Sequence, residues 1–65
     1  MKVIDFIGSG AEDLIYVLRE RKGAPILWRG TRQDFIREMS AFFLLFYRTV
    51  TVFDVDDAGV LTLYI

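Results

Sequence analysis

The sequence predicts a small α+β protein in which residues 1–65 form a single globular domain. Two segments near the C-terminus alternate apolar and polar residues, and two segments with helical periodicity precede them. We expect the element order β-α-β-α-β-β. The architecture would be a small four-stranded sheet with two helices on one face and a C-terminal β-hairpin.

The first half of the chain is predicted to contain a strand followed by a helix. The β-branched and aromatic segment KVIDFI (2–7) is typical of a strand. Ser9 and Glu12 have the spacing of a capping box, which favours a helix start. This helix would run for about 12 residues and end at Gly23. Its apolar stripe would consist of Ala11, Leu14, Ile15 and Leu18.

The second half is predicted to contain a short strand, a longer helix and the hairpin. The segment APILW (24–28) suits a short buried strand, and Thr31 with Asp34 again has capping spacing. A helix from about residue 32 to 44 would follow, because the apolar side chains there share one broad helical face. Those side chains are Phe35, Ile36, Met39, Phe42, Phe43 and Phe46. The segments TVTVFDV (49–55) and VLTLYI (60–65) flank the turn DDAG and form the hairpin.

Composition argues against most catalytic chemistry. The absence of cysteine excludes disulfides and thiolate metal sites, and the absence of histidine removes the commonest general base and metal ligand. Asp5 is the one acid flanked by apolar residues of a predicted strand, and no second acid is obviously placed beside it. We therefore expect no enzymatic activity, no metal and no cofactor.

Two short segments resemble ligand-binding loops but lack essential residues. Gly8-x-Gly10 resembles the start of a phosphate loop, yet Asp13 stands where the dinucleotide motif needs a third glycine. The segment FDVDDAG resembles the first half of a calcium loop, yet Ala58 and Ile65 occupy positions that need oxygen ligands. We interpret both segments as ordinary turns.

Charge and hydropathy indicate the setting of the protein. The formal net charge of −1 argues against a globally basic nucleic-acid binder. Basic residues nevertheless gather between Arg19 and Arg48, while most acids lie outside that span. No apolar run approaches the roughly 20 residues that a transmembrane helix needs. With no secretory signal visible in MKVIDFIGSG, we expect a cytoplasmic protein.

The run AFFLLFY (41–47) is the most informative stretch for function. On a helix, Ala41, Leu44 and Leu45 fall where the preceding turns place polar residues, so this helix becomes apolar on all sides. Such a helix needs cover on both sides, and the three residues are predicted to form an interface with a second copy of the chain or with a protein target. One alternative is that the helix ends near Phe43 and that residues 44–47 begin the third strand. Another is that these residues contact a membrane surface.

Together these features predict a small interaction or regulatory protein. It would act without catalysis, by protein–protein binding, as a homodimer or bound to a protein target. The alternative function is a nucleic-acid-binding module, in which the turn from Trp28 to Arg32 and the nearby Arg37 contact an anion. Trp28, Arg29, Arg32 and Arg37 would form that site. The plainer interpretation of the same residues is a core tryptophan and solvated arginines.

Overall fold

The computed structural model of the chain describes residues 1–65 throughout and shows an α+β fold with a four-stranded mixed sheet. This confirms the predicted fold class, but the structure contains three short helices instead of two. The elements in chain order are α1 (Val3–Gly8), β1 (Ile15–Arg19), β2 (Trp28–Gly30), α2 (Arg32–Glu38), α3 (Phe43–Phe46), β3 (Val52–Val55) and β4 (Val60–Tyr64).

The strand order across the sheet is β2-β1-β4-β3. β1 pairs with β2 antiparallel and with β4 parallel. β1 and β4 therefore form the centre of the sheet. β3 and β4 form the predicted C-terminal hairpin, with Val52 opposite Tyr64 and Val55 opposite Leu61. The Asp56 carboxylate accepts hydrogen bonds from the amides of Ala58 and Val60, at 2.9 and 3.1 Å. These bonds close the turn that the sequence predicted.

The helices pack on one face of the sheet, as predicted. Successive strand residues point to opposite faces, and alternate residues of β1 and β4 enter the same buried cluster as the helices. The cluster contains Val3, Ile7, Tyr16, Leu18, Trp28, Phe35, Phe46, Leu61 and Leu63. Val17 is buried but lies outside this cluster, because it points to the opposite face of the sheet.

The strand predicted for KVIDFI is wrong, because residues 3–8 form α1. Val3 and Ile7 are one turn apart and fully buried, whereas Asp5 points to solvent in the first turn. An acid in that position is favourable beside the positive end of the helix dipole. Packing of the Val3–Ile7 pair against the sheet therefore outweighs the weak β-preference of the segment.

The helix predicted after Ser9 is also wrong, since residues 15–19 form the central strand β1. A short apolar run fits a buried strand and a buried helix equally well by periodicity. Tyr16, Val17 and Leu18 are all buried, which requires cover on both faces and is typical of a central strand. Ser9 ends α1 instead of starting a helix, and its hydroxyl donates to the Asp5 carbonyl at 2.7 Å.

Two further boundaries differ from the prediction. The second strand begins at Trp28 instead of ending there, although the Leu27 amide still donates to the Leu18 carbonyl at 2.8 Å. The long second helix is broken into α2 and α3, so neither a continuous helix to 44 nor a strand start at 44 is correct. Phe46 points towards the core, whereas Ile36, which was predicted on the core-facing side of the helix, is about half exposed.

Candidate functional site

The apolar run 41–47 folds into α3 and its two flanks, and it divides between the core and the surface. Phe46 is fully buried, and Leu45 is partly buried against the core. Leu44 is 84% exposed, the largest fraction for any large apolar side chain of the protein. A single helical turn explains this division, because consecutive residues on a helix point about 100° apart.

We define the α3 surface as the exposed residues Ala41, Phe43, Leu44 and Tyr47. The rings of Phe43 and Tyr47 stack with centroids 5.2 Å apart, and Lys2 Nζ lies 4.5 Å from the centre of the Tyr47 ring. Of the three residues predicted to form a partner interface, Ala41 and Leu44 therefore lie on this surface. Leu45 faces the interior. Phe43, which was predicted to lie on the core-facing side of the helix, is instead about half exposed, and with Tyr47 it belongs to this surface.

The Trp28 side chain does not form an exposed platform. It is 5% exposed, and its ring meets Phe46 edge to face with centroids 5.1 Å apart. Its indole Nε1 is buried without a hydrogen-bond partner. Stacking of a nucleic-acid base on this ring would require the core to open.

The three arginines of the predicted anion site differ in their surroundings and in their bonding partners. Arg29 alternates with Trp28 along β2 and is exposed on the opposite face of the sheet. Arg32 donates to the Gly8 carbonyl at 2.8 Å and pairs with Glu12 at 3.1 Å. Arg37 pairs with an acid of its own helix. The structure therefore does not bring these residues together into one surface with Trp28.

Thr31 and Asp34 form the capping box that the spacing predicted at the start of α2. The Asp34 amide donates to Thr31 Oγ1 at 3.2 Å, and the Thr31 amide donates to Asp34 Oδ2 at 3.0 Å. The backbone and side-chain hydrogen bonds from Thr31, helped by the charge of Arg37, hold the pKa of the Asp34 carboxyl below its ordinary value of 3.8. This arrangement stabilises a helix end and uses the donors that an anion would need.

The remaining polar groups show structural roles. The Tyr16 hydroxyl donates to the Ala11 carbonyl at 2.8 Å, and burial raises the pKa of this hydroxyl above its ordinary value of 10.0. Asp5 is exposed on α1, away from the buried pair of that helix. No group of three or more acidic, histidine or cysteine side chains is placed to hold a metal ion.

A groove of ≈ 540 Å³ lies beside β3 and was not anticipated from the sequence. One wall consists of Thr51, Val52, Phe53, Asp54 and Tyr64, and the other of Glu20, Arg21 and Lys22. All four residues of β3 are exposed, including both faces of the strand. The sequence contains one indication of this exposed strand. In TVTVFDV, Phe53 occupies the face on which the alternation places Thr49 and Thr51, so both faces of the strand carry apolar side chains.

No protein-family model matches the chain, and neither a curated protein nor a solved structure matches it. None of the three helices has the length and apolar character needed to cross a bilayer. The exposed surfaces of this chain are therefore the features that bear on its function.

Proposed function

We propose that this protein acts without catalysis, as a small cytoplasmic interaction or regulatory protein that binds another protein. The active form is a homodimer, and each copy presents one α3 surface to the target. The observation that carries this proposal is the exposure of Leu44 within the apolar run 41–47.

The α3 surface leaves apolar area in contact with water. Full burial of a leucine side chain is worth about 1.5–3 kcal/mol relative to exposure. Leu44 gains little of that free energy within the monomer, and the half-exposed rings of Phe43 and Tyr47 enlarge the same apolar area. Single exposed apolar residues are common, but a contiguous group is typical of a binding surface.

The chemistry of the α3 surface favours an apolar protein partner. Lys2, packed over Tyr47, is the cation in contact with this surface. A membrane-surface helix would combine its apolar side with a polar side rich in lysine and arginine, which the single turn of α3 does not provide. We do not extend the proposal to nucleic acid, because Trp28 is buried and Arg32 and Arg37 are engaged within the fold.

The test compares three immobilised forms of the chain: the wild type, Leu44→Asp and Ile26→Asp. Ile26 is a matched control, since it is also an exposed apolar residue but lies in the loop before β2. Exposed substitutions of this kind typically change stability by less than about 0.5 kcal/mol, so all three forms should fold.

We expect at least one protein that wild type and Ile26→Asp retain from a lysate of the source cells and that Leu44→Asp loses. Affinity of the purified target for each form would then be measured by calorimetry, with a loss of at least about tenfold for Leu44→Asp. If all three forms retain the same proteins equally, the α3 surface is not the binding site.

A further inference from the structure

β3 is an edge strand whose outer side has no partner in the monomer. It pairs with β4 alone, at one end of the sheet. The Asp56 amide donates to the Val60 carbonyl at 3.0 Å, which fixes the alternation of hydrogen bonds along the hairpin. Since this alternation has a period of two, the amides and carbonyls of Phe53 and Val55 point outward.

We propose that a second copy of this chain pairs antiparallel with β3 across a two-fold axis, joining the two sheets into one sheet of eight strands. This inference rests on the homodimer of the proposed function and identifies its contact. The α3 surface is then left free for the target protein. An unpaired edge with apolar side chains is a template for such pairing.

Charge determines the register of the two strands. Pairing centred on Asp54 would place the two Asp54 carboxylates opposite each other, and pairing centred on Val55 would place Asp54 opposite Asp56. Like charges directly opposite each other destabilise a strand pair. Pairing centred on Phe53 places Asp54 opposite Val52 and avoids both conflicts.

This register also pairs three of the four outward backbone groups of Phe53 and Val55. The amide and carbonyl of Phe53 would bond to those of its symmetry mate, since they lie in a hydrogen-bonded position of the outer edge. Each Val55 amide would meet the Thr51 carbonyl of the other copy. The Thr51 amide donates to the Tyr64 carbonyl at 2.9 Å within its own sheet, so the Val55 carbonyl of the other copy stays exposed to water.

The ends of β3 carry opposite charges, which an antiparallel pair brings together. Arg21 and Lys22 line the groove beside Thr51 and Val52, at the start of the strand. Asp56 and Asp57 follow the end of the strand. In the dimer each acidic turn lies beside Arg21 and Lys22 of the other copy, in a groove that also contains Glu20 and Asp54. The segregation of basic and acidic residues along the chain thus acquires a structural role.

Exposed apolar side chains along β3 add to the dimer contact. Phe53 packs against Phe6 with ring centroids 5.4 Å apart, yet it is still 56% exposed, and Val52 and Val55 are exposed to a similar extent. The two Phe53 rings would meet at the axis, so that pairing would remove their exposed faces from water.

Sedimentation equilibrium over a concentration series tests the pairing with four variants. Val55→Pro removes an outward amide without touching the bonds to β4, and proline is tolerated in this setting on an edge strand. Asp57→Lys and Arg21→Glu each place like charges together across the contact, and the double variant exchanges the two signs. Leu44→Asp is the control, and circular dichroism with thermal unfolding verifies that each variant is folded.

We expect a wild-type dimer, a folded Val55→Pro monomer and a dimer for Leu44→Asp. Each charge variant should raise the dimer dissociation constant roughly tenfold, and the double variant should recover most of that loss. A monomeric wild type, a dimeric Val55→Pro, a failed recovery or a monomeric Leu44→Asp would each overturn the strand pairing. Target binding by the α3 surface has its own test and survives any of these results.

Discussion

Replacement of Phe46 by leucine tests the central packing of the fold. Phe46 is fully buried, with ring centroids 4.7 Å from Phe35, 5.1 Å from Trp28 and 6.0 Å from Phe42. Each aromatic pair contributes about 0.5–1.5 kcal/mol beyond its buried area. The change of side-chain shape within a filled core adds up to about 1.5 kcal/mol. We therefore expect Phe46→Leu to lower the free energy of unfolding by roughly 1.5–6 kcal/mol.

That loss is large for a protein of this length. At about 0.05–0.15 kcal/mol per residue, the whole chain should have a stability of roughly 3–10 kcal/mol. A loss of 1 kcal/mol lowers the Tm of so small a domain by about 4–8 °C, so the Tm should fall by at least about 6 °C. Thermal unfolding followed by circular dichroism, at one fixed protein concentration, measures this shift.

The matched control is the same substitution three residues earlier. Phe43 is about half exposed and stacks on Tyr47 alone, so Phe43→Leu should cost less than about 1 kcal/mol. Equal Tm losses for the two variants would refute the assignment of Phe46 to the core and of Phe43 to the α3 surface.

Two further predictions concern turns. Gly10→Ala should destabilise the fold by about 1–3 kcal/mol, because the added Cβ would collide with the Tyr16 hydroxyl, whereas Gly8→Ala should be neutral since its Cβ meets open space. Urea unfolding of both variants measures the contrast, and equal losses would count against the packing of this turn. The capping contribution of Asp34 should be present above about pH 3.8 and disappear as the pH falls through its lowered folded-state pKa. Thr31→Ala should cost about 0.5–2 kcal/mol at pH 7 and less in acid, and an unchanged cost at low pH would contradict the role of this cap.

Local sequence chemistry predicted the parts of the fold that depend on near neighbours. The Thr31–Asp34 cap forms because both partners are three residues apart, so their bonds need no distant part of the chain. The C-terminal hairpin forms as predicted, since its two alternating strands flank a turn that Asp56 and Gly59 close. Gly59 has a φ of 79°, which a glycine adopts without strain.

The first half of the chain could not be assigned from its local pattern. Val3 and Ile7 are four residues apart. They would share one face of a strand, where side chains alternate with a period of two, and they would also share one face of a helix, where residues four apart align. The decision comes from packing, because α1 buries both residues against a sheet whose centre is β1. β1 in turn needs β4 as its parallel neighbour, and 40 residues separate the two strands.

The candidate sites divide in the same way. The sequence by itself determined that the run 41–47 carries more apolar side chains than one small core can cover, that catalysis lacks its usual side chains, and that charges are segregated along the chain. Only the tertiary structure decided that Leu44 is exposed while Leu45 packs inward, because the break between α2 and α3 sets the direction of that turn. It also decided that β3 is an edge strand, since strand order depends on long-range pairing that no local pattern encodes.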